Sequence, residues 1–182
     1  MVSKKTLVVA ISFIIFYSCC YTGRKSEFGL PRNDIKRLDI PLSYEFIDTI
    51  AVYKLVADCF YNKSLKKVIL FKNQHENYPY TSYLKFYRNG KLGLFIIPKE
   101  DTINLTKKHF NPEKAKMGYY FIEDNKIKTR ISTIGDCALY IANDKGTIVG
   151  DSITLLNKNG IGNIFVKRKV PKEILEGWTP DW

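Results

Sequence analysis

The chain has 182 residues, 45% of them apolar, with 29 Lys/Arg against 18 Asp/Glu and a formal net charge of +11. That length suits one domain with its own core, and the apolar fraction excludes a disordered chain. The basic residues are spread through nearly every segment rather than gathered in runs, which is not the charge pattern of a nucleic-acid binder.

Lys4 and Lys5 precede an apolar stretch over residues 7–17, followed by Ser18, Cys19 and Cys20. The stretch is shorter than the ~20 residues of a bilayer span and has the build of an export signal. Its small-residue-then-cysteine ending resembles the lipobox of bacterial lipoproteins. That resemblance implies cleavage after residue 18 and lipidation of Cys19. Removing residues 1–18 takes away two basic residues and no acidic one, leaving 164 residues at +9. The expected plan is a signal peptide over 1–18, a tether over 19–43 and a single β-rich domain over 44–182. The tether reading rests on polar, basic composition broken by Gly23, Gly29, Pro31 and Pro41. Some lipoproteins of the Bacteroidota type carry acidic residues after the cysteine as a surface-export signal. Residues 21–25 here hold two cations and no acid, which implies a lipid-anchored, periplasm-facing place in the cell envelope.

The oxidising compartment gives the remaining cysteines two readings. Cys59 and Cys137 either pair as a disulfide or serve as small buried apolar side chains.

Within the domain, residues 50–57 and 67–71 are β-branched, apolar and aromatic, and read as strands. Residues 83–97 read as a hairpin, because Asn89-Gly90 suits the positive φ angles of a type I′ turn and Pro98 ends the second arm. Asn111, Pro112 and Glu113 fit a cap, a first position and a first-turn acid, so one short helical turn is expected over 111–116. Residues 118–122 and 126–133 form a second hairpin turning at Asp124-Asn125. In its second arm Ile127, Thr129 and Ile131 alternate with Lys126, Lys128 and Arg130. Residues 138–142 are expected to turn through 143–146 into a strand over 147–156, and the turn over 157–160 leads to a last strand over 164–170.

About eight short strands joined by tight turns argue for an all-β, antiparallel up-and-down meander, closed into a barrel or half-barrel, with a β-sandwich as the other way to hide the edges. The hairpin over 86–91 and the strand over 146–153 resemble those of small lipocalin-like lipoproteins of the Bacteroidota type, over roughly residues 49–170. A lipocalin-like cup implies a pocket for a small apolar ligand, with Leu84, Phe86, Leu94, Ile96, Tyr120, Ile127, Ile131 and Ile153 as inward candidates. The competing reading is a protein-interaction module, an envelope-complex subunit or immunity-type inhibitor, with its core filled solid.

Residues for catalysis are sparse. His75 and His109 have no Cys, Asp or Glu at metal-ligand spacing, and neither a nucleophile elbow nor a phosphate loop is present. A non-catalytic protein without cofactor or metal is therefore expected. Asp48-Thr49-Ile50, Asp101-Thr102-Ile103 and Asp151-Ser152-Ile153 resemble the O-glycosylation motif of exported Bacteroidota proteins, which implies sugars on Thr49, Thr102 and Ser152. The same triplets also suit ordinary turns. Tyr78, Tyr80, Tyr83, Trp178 and Trp182 are either an exposed binding surface or a plug at one barrel end.

Overall fold

A computed structural model describes residues 21–33, 35–39, 44–71, 77–136 and 138–182. The signal segment, Cys19, His75 and Cys137 lie outside them. Nine strands follow one another: β1 (Val52–Asn62), β2 (Lys67–Leu70), β3 (Tyr80–Phe86), β4 (Lys91–Pro98), β5 (Lys116–Glu123), β6 (Lys126–Gly135), β7 (Ala138–Val149), β8 (Ser152–Leu156) and β9 (Ile161–Arg168). A single helical turn, α1 (Lys172–Leu175), and four short 3₁₀ turns complete the described structure.

Neighbouring strands pair antiparallel in the order β2-β1-β3-β4-β5-β6-β7-β8-β9, and β9 returns to pair with β1. Eight strands thus close into an up-and-down barrel, with β2 as an extra strand on the far half of β1. Closure removes the edges of β1 and β9 that an open meander would leave unpaired, and the barrel displaces the sandwich alternative. β1 is shared along its length: Tyr53 and Lys54 pair with β3, while Cys59 through Asn62 pair with β2. A bulge between Leu55 and Ala57 bends the strand where that change occurs.

Alternation fills the barrel from inside. Tyr53, Phe86 and Tyr120 stack edge-to-face at 5.3 and 4.9 Å between ring centroids, surrounded by Leu84, Leu92, Ile122, Ile127, Ile148, Ile153 and Phe165. The opposite faces of β1, β3 and β4 turn Val52, Tyr83, Phe95 and Ile97 outward. There Phe110, Ala115 and Leu175 cover them, from the β4–β5 connection and the tail.

Two turn expectations changed. The 143–146 stretch is not a turn: β7 runs unbroken through it, paired with β6 from Gly135↔Ala138 to Lys126↔Thr147. The reversal comes at Gly150-Asp151, where Gly150 has φ +56°, and it divides the single strand expected over 147–156 into β7 and β8. The Asn89-Gly90 reversal does use positive φ at both residues, but it includes Arg88 as a third loop residue. The helical-turn expectation holds for Pro112–Lys114, where the Asn111 side chain accepts the Glu113 N–H at 3.1 Å.

Residues 21–33 and 35–39, in the stretch read as a tether, lie against the barrel in part. Arg32 and Ile35 are buried, Ser26 Oγ donates to the Glu113 carbonyl at 2.7 Å, and Ser132 Oγ donates to Asn33 Oδ1 at 2.8 Å. The two tryptophans are half-buried on the outer wall rather than plugging an end, with Trp182 Nε1 donating to the Gly118 carbonyl at 3.2 Å.

Lys85, on the outward phase of β3, is 4% exposed, and its ammonium donates to the Thr49 carbonyl. Burial lowers its pKa to about 8, against a smaller opposing effect of the Asp48 charge. Below that pH the amine is charged in both folded and unfolded chains and its burial cost is fully present. As pH rises from about 8 towards the unfolded value near 10.4, the folded chain releases a proton that the unfolded chain keeps, so stability rises. Lys85→Met lacks this dependence, so its stability relative to the wild type is expected to fall between pH 7 and about pH 10 as the folded wild-type amine loses its charge. Urea unfolding at both pH values measures it.

Candidate functional site at the barrel rim

Strand direction sorts the connections to two ends. The turns after β3, β5 and β7 lie at one end, where residues 44–51 close the base: Ile47 is buried in the core, and Tyr53 Oη accepts the Asp48 N–H at 2.9 Å. The connections after β1, β4, β6 and β8 lie at the other end and form the rim. Here β7 outruns β8, since their pairing stops at Lys145↔Leu156 while β7 still pairs with β6 to Ala138. The notch opens into a cavity of about 690 Å³ lined by residues from β1, β7, the β8–β9 turn and β9, together with Phe71.

Its polar wall is built from Asp58, Asp144 and several asparagines. Asp58 Oδ1 accepts the Asn163 side-chain N–H at 2.6 Å across the β1–β9 pair. Asp144 faces inward in phase with Ala142 and Ile148, and burial raises its carboxyl pKa. Asn157 shapes the β8–β9 turn by accepting the backbone N–H groups of Asn159 and Ile161 at 2.9 and 3.2 Å. Phe71, Ile141, Ala142 and Ile161 supply the apolar wall, and the Phe71 ring packs on Phe60 at 5.1 Å between centroids. The lining thus offers proton acceptors beside an apolar surface. Ligand sites combine those two features.

Leu84, Phe86, Tyr120, Ile127, Ile131 and Ile153 come together as predicted inward residues, but they pack on one another as core, with Leu94 half-buried against them. Ile96 is 45% exposed and lines a smaller cleft with His109 and Lys114. None of the eight lines the rim cavity. Cys59 is completely buried, and burial followed by the Asp58 charge pushes its thiol pKa up.

The three triplets carry local work. The Asp48 carboxylate accepts the Ile50 N–H at 2.9 Å, Thr102 Oγ1 donates to the Lys99 carbonyl at 2.7 Å, and Asp151 pairs with Lys167 at 2.5 Å beside Ser152. His109 Nδ1 accepts the Thr106 N–H at 3.0 Å in a capping box. Tyr83 is buried, whereas Tyr78 and Tyr80 form an exposed pair 5.9 Å apart at the start of β3.

Among the described residues, no three His, Cys, Asp or Glu side chains gather at metal-binding distance. Nor is any helix among them long and apolar enough to cross a membrane. No family model, curated protein or solved structure matches the chain.

Proposed function

We propose that the protein is a non-catalytic lipoprotein, anchored through Cys19 and facing the periplasm, whose barrel binds at its open rim. The rim cavity is the observation that carries the binding site, because it joins Asp58, Asp144 and Asn163 to Phe71 and Ile161. Such a lining favours a small amphiphilic ligand over the wholly apolar one a hollow cup would take. A second reading has its own support. The packed interior suits an interaction module, with a partner protein's loop seated in the same cavity.

Two measurements in the host test this. Palmitate labelling is expected in the wild type and lost in Cys19→Ala; absence from the wild type would remove the anchor. A photo-crosslinking residue at Asn159 is expected to give an adduct that the same residue at Lys126, at the base, does not. Adduct mass separates a small ligand from a protein. Equal labelling at both positions, or none, would sink the rim site.

A further inference from the structure

Residues 24–32 fold back on themselves at the barrel wall. Lys25 pairs with Pro31, the Ser26 N–H donates to the Leu30 carbonyl at 2.8 Å, and the Arg32 N–H donates to the Arg24 carbonyl at 2.7 Å. The hairpin is fixed to the barrel by the Ser26 hydroxyl on Glu113 and by the Glu27 N–H on the Glu113 carboxylate at 3.0 Å. Glu113 lies just before β5, in the β4–β5 connection that covers the outer wall, so the hairpin docks on that wall beside the start of β5.

Phe28 stands at the hairpin tip, 51% exposed, with open space around the adjoining Gly29. Cations stand around the Phe28 ring and the chain before it: Lys114 Nζ is 5.0 Å from the Phe28 centroid, Lys25 Nζ is 5.9 Å from the Tyr21 centroid and Arg24 is exposed, against Glu27 as the exposed acid beside the tip. Aromatic rings ringed by lysine and arginine match the boundary between headgroups and acyl chains.

Distance supplies the occupant. Lys25 is six residues beyond Cys19, so the hairpin lies within about 22 Å of an acylated Cys19 even at full extension. The burial of Arg32 and Ile35 holds the hairpin against the barrel.

We infer that the 25–31 hairpin seats the barrel on an anionic bilayer, with Phe28 entering the headgroup region and Arg24, Lys25 and Lys114 pairing with lipid phosphates. This rests on the lipid-anchor reading.

The test uses the full lipidated protein in phosphatidylcholine vesicles with and without phosphatidylglycerol, doped with brominated lipid. In Phe28→Trp, the added fluorescence over wild type is expected to be blue-shifted and quenched in anionic vesicles. Adding Lys25→Glu and Lys114→Glu should remove most of that quenching. Water-like, unquenched emission from a protein whose intact mass carries the acyl chains would overturn the seating and leave the anchor standing. Quenching indifferent to lipid charge would overturn the phosphate pairing. A mass without acyl chains would remove anchor and seating together.

Discussion

Arg32→Ala is expected to lower folding stability by about 3–5 kcal/mol, the range for breaking a buried ion pair from one side. The guanidinium is nearly inaccessible and donates to four acceptors: Asp181 Oδ2 at 2.7 Å, the Pro31 and Ala115 carbonyls at 3.2 and 3.1 Å, and the Pro112 carbonyl at 3.0 Å. It also lies 5.0 Å from the Trp182 ring centroid. Alanine would leave a partly buried carboxylate without its cation and three carbonyls without that donor. Arg32→Lys should recover little, since an ammonium cannot reproduce a planar fork that reaches three segments of chain. Those segments are the N-terminal stretch, the 112–115 turn and the tail. The loss can appear as detachment of the N-terminal stretch before the barrel opens. Urea unfolding reports the global part, and trypsin cleavage after Arg24 and Lys25 reports the local part. A change below about 1 kcal/mol, within the range of an ordinary exposed pair, with unaltered cleavage would show that Arg32 does not hold these segments together.

The barrel was legible in the sequence because its signals are local. Alternation in β6, Asn-Gly before β4 and Asp-Asn before β6 each depend on a few adjacent residues. The residues at 143–146 misled for the same reason. Asn143, Asp144 and Gly146 have strong turn preferences, yet ten paired residues of β6 hold them in a ladder, and tertiary pairing outweighs local propensity. The tail's role was equally hidden, since Trp182 and Asp181 meet Arg32 across about 150 residues and no local pattern announces such a contact.

The rim site was largely invisible for a related reason. Apolar candidates at inward positions are found by phase alone, but phase does not separate a packed interior from a lined cavity. That depends on where strands end, and here the cavity exists because β7 continues past Leu156 of β8. One signal was available. Asp144 is an acid in phase with Ala142 and Ile148, and a charge on an inward phase marks either a mistaken strand or a site. Reading 143–146 as a turn concealed it.

Gly146→Ala is expected to cost about 3 kcal/mol or more, at the upper end of what overpacking does. A methyl group on Gly146 of β7 would fall on the Thr154 carbonyl oxygen, and one on Gly162 of β9 would fall on the Leu155 carbonyl oxygen. Both obstacles are backbone atoms of β8, so no rotamer change relieves them. The two glycines therefore permit a close approach that a side chain would forbid, rather than supplying flexibility to a turn. They also flank β8 from opposite sides, since Gly146 pairs with Leu155 and Gly162 with Leu156. Shifting β8 away from one methyl drives it towards the other. Gly162→Ala should be similarly destabilising, and the double variant should lose more than the sum of the two singles. Gly150→Ala is the control: its φ of +56° strains an alanine, but nothing lies near its added methyl, so a loss of about 1 kcal/mol is expected. Denaturant midpoints for the four variants decide the matter. Losses at 146 and 162 no larger than at 150, or strictly additive ones, would mean that β8 has room to move and is not clamped between its neighbours.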